Sequence, residues 1–143
     1  MNQKPLQINS EIGVLKTVLL HRPGEELENL TPDYLKDLLF DDIPHLKVAQ
    51  QEHDEFANVL RDHGVEVLYL DELVTEALNN SDSLKAEFVD EMLAASKQDS
   101  RRVTQSLRDF LLSMPTNAMV RKIMAGVRKD EISLPPEHHQ QLH

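Results

Sequence analysis

The chain has no cysteine and no tryptophan among its 143 residues, and only four glycines. Without cysteine there is no disulfide, no thiolate zinc site and no thiolate nucleophile. Glycines at 13, 24, 64 and 126 alone cannot build a familiar phosphate-cradling loop. No apolar run approaches the roughly 18 residues that a membrane-spanning helix needs. The start, MNQKPLQINSEIG, lacks the basic and then apolar pattern of a signal peptide. A soluble, cytoplasmic protein is the expectation. Aromatics make up only 4% of the chain, so the core must come mainly from Leu, Val, Ile, Ala and Met.

What is abundant is acid. The formal net charge is −10. It is concentrated in residues 1–71, where 14 Asp and Glu face 6 Lys and Arg. Such a surface disfavours nucleic acid and anionic membranes as partners and permits a cationic substrate.

Local patterning divides the chain in two. Val14 to Leu20 is apolar and β-branched, opened by Gly13 and closed by Pro23-Gly24; it predicts a largely buried strand. Glu25 to Asp37 predicts a loop with one short helical turn. Pro44 suits the first turn of a helix capped by Asp42 or Ile43. Leu46, Ala49, His53, Phe56, Ala57 and Leu60 then fall on one helical face, and Gly64 ends the helix. Val65 to Leu70 predicts a second buried strand. After it, helical patterns follow alone. Asp71 can cap a helix to Leu78, Asn79 to Asp82 is a turn and cap cluster, and Asp99 or Ser100 opens another helix. Thr116 can cap a last helix, stopped at Gly126. Strand, helix, strand is an α/β unit, but two parallel strands are too few to stand alone. The expected division is an α/β unit over 1–71 and a helical subdomain over 72–143, incomplete at its C-terminal end.

Few residues carry chemistry. Asp41 and Asp42 could be paired carboxylates, but neighbours on extended backbone point to opposite sides, which favours a strand end and a cap. His53 on an apolar face reads as a core histidine bonded to nearby backbone. His138, His139 and His143 have no acidic third ligand and follow Pro135-Pro136, so a solvated tail is expected. No serine sits in a G-x-S-x-G elbow. Arg101-Arg102 reads as a solvated helix face.

Three linked segments resemble the opening of the bacterial arginine deiminases: SEIGVLKTVLLHRPG at 10–24, LLFDDIP at 38–44 and AQQEHDEFANVL at 49–60. Their order and spacing match that family. The resemblance implies a five-fold α/β propeller with its first blade at residues 13–70, followed by the family's all-helical inserted subdomain. It implies hydrolysis of L-arginine to L-citrulline and ammonia through a covalent cysteine adduct, without metal or organic cofactor, in a homo-oligomer. Chemically this is sound: a thiolate can attack the guanidinium carbon, and carboxylates grip a planar cation bidentately.

The family's catalytic cysteine, histidine, glutamate and guanidinium-binding aspartates have no counterpart in this chain. Its Pro-Asn-x-x-Phe-Thr-Arg-Asp segment is expected to follow residue 143. One contact carries over by resemblance: Leu39, whose backbone carbonyl would face the substrate α-amino group, with Phe40 and Asp41 shaping that wall. The chain is therefore expected to be an N-terminal piece of a deiminase, inactive alone. Two other readings stay open. One is a natural short deiminase-derived protein acting as a non-catalytic interaction module. The other is an unrelated helical binding protein with no strand–helix–strand unit.

Overall fold

A computed structural model describes residues 7–29, 45–96 and 100–132. Among them, strand β1 (Thr17–Leu20) leads to a 3₁₀ turn (Glu25–Leu27), then to helix α1 (Leu46–Asp62) and strand β2 (Glu66–Tyr69). Helices α2 (Leu70–Leu78), α3 (Asp82–Ala95), α4 (Arg101–Leu112) and α5 (Thr116–Ala125) follow, then a second 3₁₀ turn (Lys129–Glu131).

β1 and β2 pair in parallel, with Thr17 opposite Glu66 and Leu20 opposite Tyr69. The strand–helix–strand unit is thus present, and the unrelated all-helical reading falls. The strands are less buried than expected. Thr17 and Leu19 are exposed while Val18 and Leu20 are half-buried, and Val14 is 91% exposed and outside the strand. The reason is geometric. Alternate residues of a strand face opposite sides. The α1 helix packs along β2, and Leu19 at 53% exposure looks away from any cover among the described residues. Thr17 Oγ1 donates to Glu66 Oε2 at 2.9 Å at the start of the ladder.

The α1 helix buries Ala57 completely and leaves Leu46, Ala49, His53 and Leu60 half-buried, as its 3.6-residue pattern requires. Phe56, however, is 55% exposed, and Val48 and Val59 are exposed beside it. The helix starts at Leu46 with His45 in the cap position, later than the expected start. The proposed caps Asp42 and Ile43, and Pro44, lie outside the described residues. At the other end Gly64 takes φ +78, its N–H donates to Arg61 O at 2.8 Å, and Val65 N–H donates to Leu60 O at 3.0 Å. This paired closure is a Schellman motif, and it needs the left-handed conformation that glycine adopts freely.

β2 ends one residue earlier than expected, because Leu70 already begins α2. Asp71 therefore does not cap the helix. The cap position is Tyr69, without a side-chain bond, and Asp71 lies in the first turn, where a carboxylate complements the helix dipole. Ser81 and Ser100 do cap α3 and α4, accepting from Ser83 N–H and Val103 N–H. At α5 the cap is Pro115, whose carbonyl accepts from Met119 N–H at 2.9 Å, so Thr116 is already helical.

Helices α2 to α5 share one apolar core of Leu78, Val89, Leu93, Leu111, Met119 and Val120. Among the described residues, its buried and half-buried members all come from residue 74 onward. Arg108 binds Asp90 through Nε–Oδ1 at 2.6 Å and Nη2–Oδ2 at 3.2 Å, holding α4 to α3. No helix of the described residues is long and apolar enough to cross a membrane.

Candidate functional site

β1 ends at Leu20, and His21-Arg22-Pro23-Gly24 lead from it into the 3₁₀ turn. Four contacts set that turn. Arg22 forms a bidentate pair with Asp54 of α1, Nε to Oδ1 and Nη2 to Oδ2, both 2.8 Å. Gln50, one helical turn earlier, donates to Pro23 O at 2.9 Å. Glu26 Oε1 accepts from Gly24 N–H at 2.8 Å and from the His21 ring at 2.8 Å. The guanidinium of Arg22 holds the Asp54 carboxyl below the usual carboxylate range, and Asp54 in turn raises Arg22. Planar matching of guanidinium and carboxylate makes this the directional kind of ion pair.

This turn forms one wall of a cleft of about 460 Å³. Leu46 and Gln50 of α1 continue that wall. The facing wall is α5, with Asn117, Ala118, Arg121 and Lys122, flanked by Met114 and Met124. Asp71 closes the floor and accepts from Arg121 Nε at 3.1 Å. The cleft lies beyond the carboxyl ends of both parallel strands, the place where open α/β sheets put ligands.

Its charges are mixed and mutually satisfied. Lys122 Nζ donates to Glu25 Oε2 at 2.8 Å and to Glu131 Oε1 at 2.9 Å. Those two bonds, Glu25 first, raise the lysine above its ordinary value. Glu131 is lowered, first by the backbone N–H of Arg128 at 2.8 Å and then by Lys122. No group of three His, Cys, Asp or Glu able to hold a metal ion occurs among the described residues. The cleft offers hydrogen-bonding and apolar walls, and its described residues include no nucleophile with an adjoining base. Among its described residues are groups that can bind and orient a ligand.

Of the residues singled out from sequence, Leu39, Phe40, Asp41 and Asp42 lie outside the described residues, as do His138, His139 and His143. His53 is half-buried, but its partner is not backbone. Its Nε2 meets Tyr69 Oη at 3.2 Å, with ring centroids 5.7 Å apart. It is a tie between α1 and β2. Arg101 and Arg102 are exposed at the start of α4, as read. The Arg22–Asp54 pair and the Lys122 junction were not foreseen. A weak signal existed for the first: Gln50 and Asp54 are polar at i and i+4 beside the buried face of α1, where apolar side chains would be expected.

Comparison with known proteins supplies what the described cleft leaves open. The family model described as arginine deiminase matches residues 36–143. An arginine deiminase of Oenococcus oeni is 58% identical over 92% of this chain and 32% of its own length. Those of Staphylococcus epidermidis and Staphylococcus haemolyticus are 53% and 54% identical, each over 96% of this chain and 33% of their own length. The chain thus spans about a third of the length of the curated relatives it matches. A family match over most of the chain, joined to identity above one half, makes it a member of the arginine deiminase family.

Proposed function

We propose that this chain is the N-terminal part of an arginine deiminase, an enzyme converting L-arginine to L-citrulline and ammonia. The observation that carries this reading is the identity of 53–58% to deiminases over more than nine-tenths of the chain. The incomplete sheet supports it. Among the described residues the sheet is a parallel pair with no further strand, and such a pair calls for neighbours, as the first blade of a five-fold α/β propeller would. Residues 1–71 would be that blade and 72–143 the helical insert.

In this reading Leu39 presents its backbone carbonyl to the substrate α-amino group, beside Phe40 and Asp41. The cysteine, histidine, glutamate and aspartates of the reaction come from the remaining two-thirds of the polypeptide. This chain contains no cysteine, so alone it does not form the thiol adduct and releases no citrulline. The complete enzyme is a cytoplasmic homo-oligomer that uses neither metal nor organic cofactor.

A second reading is a deiminase-derived interaction module. Exposed Phe56, Val48 and Val59 on α1 favour it, since clustered apolar side chains mark contact surfaces. One experiment separates the two. The chain is co-expressed with the C-terminal two-thirds of the Oenococcus oeni deiminase, and citrulline is measured. Release by the pair and not by either part supports the blade reading. Association without citrulline supports the module, and citrulline from the 143-residue chain alone overturns both.

A further inference from the structure

Lys122 is unusual for a lysine: its side chain is only 16% exposed. Its ammonium joins three stretches of chain. It sits on α5, donates to Glu25 in the turn after β1, and donates to Glu131 beyond α5. Glu131 is itself held by the Arg128 N–H. Close by, Asn29 Nδ2 donates to Ala125 O at 2.9 Å, a second bolt between the same turn and the end of α5. Across the cleft, Arg121 of α5 holds Asp71.

The apolar core gives these polar ties their importance. That core belongs to α2–α5, and among the described residues none of 7–69 joins it. The buried residues of the α/β unit, Ala57 and Val65, lie apart from it. Between β2 and α2 the chain passes directly from Tyr69 to Leu70. Element-terminal residues of this kind are where hinges absorb backbone change. Among the described residues the α/β unit meets the helical cluster at the Tyr69–Leu70 joint and where the turn after β1 packs and hydrogen-bonds on α5.

We propose that Lys122 is a latch. It holds the turn after β1 against α5, and its release lets the α/β unit swing about Tyr69–Leu70 and open the cleft. Without the ammonium, Glu25 and Glu131 face each other as two carboxylates with no shared cation, so loss of the lysine turns attraction into repulsion. A single exposed ion pair contributes little. Lys122 differs because one sheltered ammonium serves two acceptors, and Glu131 is only 22% exposed. The latch needs no substrate, so it stands or falls separately from the arginine reading.

The absence of cysteine makes the test clean. Glu55→Cys on α1 and Glu91→Cys on α3, both at exposed positions, accept spin labels for pulsed dipolar distance measurement. The chain retaining Lys122 is expected to give a narrow distribution at low salt. Lys122→Met, which keeps the aliphatic stem, is expected to shift it longer and broaden it. Salt near 1 M, where the screening length is about 3 Å, is expected to act in the same direction. Hydrogen exchange at the amides of Leu27, Glu28 and Asn29, bonded only within their turn, is expected to quicken about tenfold in the variant, with exchange at Leu93 and Leu111 unchanged. Should Lys122→Met lose its helices, the salt series on the chain with Lys122 decides. Distances and exchange indifferent to both salt and the substitution overturn the latch and leave Lys122 a local tie.

Discussion

Arg22 and Asp54 lie 32 positions apart and meet through two parallel hydrogen bonds of 2.8 Å. The pair joins the end of β1 to the middle of α1. It thereby sets where the chain leaves the sheet and where the cleft wall begins.

Asp54→Asn should therefore loosen the turn. A neutral amide can accept one bond from Arg22 but not mirror its fork. Exchange at the amide of Gly24 should accelerate, and the urea midpoint should fall. Arg22→Lys should fail to restore the native protection, because an ammonium offers a point charge and no planar fork. Equal protection in the lysine variant would show that charge alone sets the turn.

Acid should weaken the fold in a defined window. Asp54 is held low by Arg22, Asp90 by Arg108, and Glu131 by the Arg128 N–H and then Lys122. A carboxyl with a lowered folded value stabilises fully above its unfolded value, about 4. That contribution is lost as the pH falls through the folded value. Urea midpoints should change little through these groups from pH 7 to about 5 and fall below about pH 4. Lys122 is raised, so its share is complete below the ordinary lysine value and is lost only as pH rises through the higher folded one. A midpoint that rises on acidification would contradict this account.

Met119 is fully buried at the centre of the helical core. Met119→Ala should cost about 2–5 kcal/mol, the transfer of the lost atoms plus the cavity left behind. Chemical denaturation measures it directly. A cost below 1 kcal/mol would mean that the helices collapse onto the gap.

At Gly64 a Cβ would meet nothing within 4 Å, yet φ is +78. Gly64→Ala should therefore cost about 1–2 kcal/mol from backbone conformation alone. Gly64→Asn should cost less, since asparagine tolerates the left-handed region. Equal costs for both would point to a steric cause that the open surroundings do not provide.

The helices were legible because each rule is local. Periodicity marked α1 and the α2–α5 series, the Asn79–Asp82 cluster and the Asp99 or Ser100 alternative held the caps Ser81 and Ser100, and Gly64 and Gly126 marked ends. Burial of the strands was not legible, because it depends on what covers an apolar run. Leu19 and Val14 have the composition of buried strand residues and are exposed. The misplacement of Asp71 has a similar origin: nothing in the residue types says that β2 runs into α2 without a loop. The cleft was least visible of all. Its walls come from pairs such as Lys122 and Glu25, 97 positions apart, for which no spacing rule exists. The resemblance pointed to Leu39, Phe40 and Asp41, which lie outside the described residues.

The parallel register of β1 with β2 bears on how the chain acquires its shape. Thr17 pairs with Glu66 across 49 positions, so the sheet closes a long loop before any strand contact offsets the entropy spent. Doubling such a loop costs only about 0.6 kcal/mol more, but it slows the search. The helical hairpins of α2–α5 close far shorter loops. On a ribosome β1 emerges before α1 and β2 and waits for its partner strand, while α1 can form at once. A strand made early thus finds its place late, and its apolar face is open to other chains in the interval.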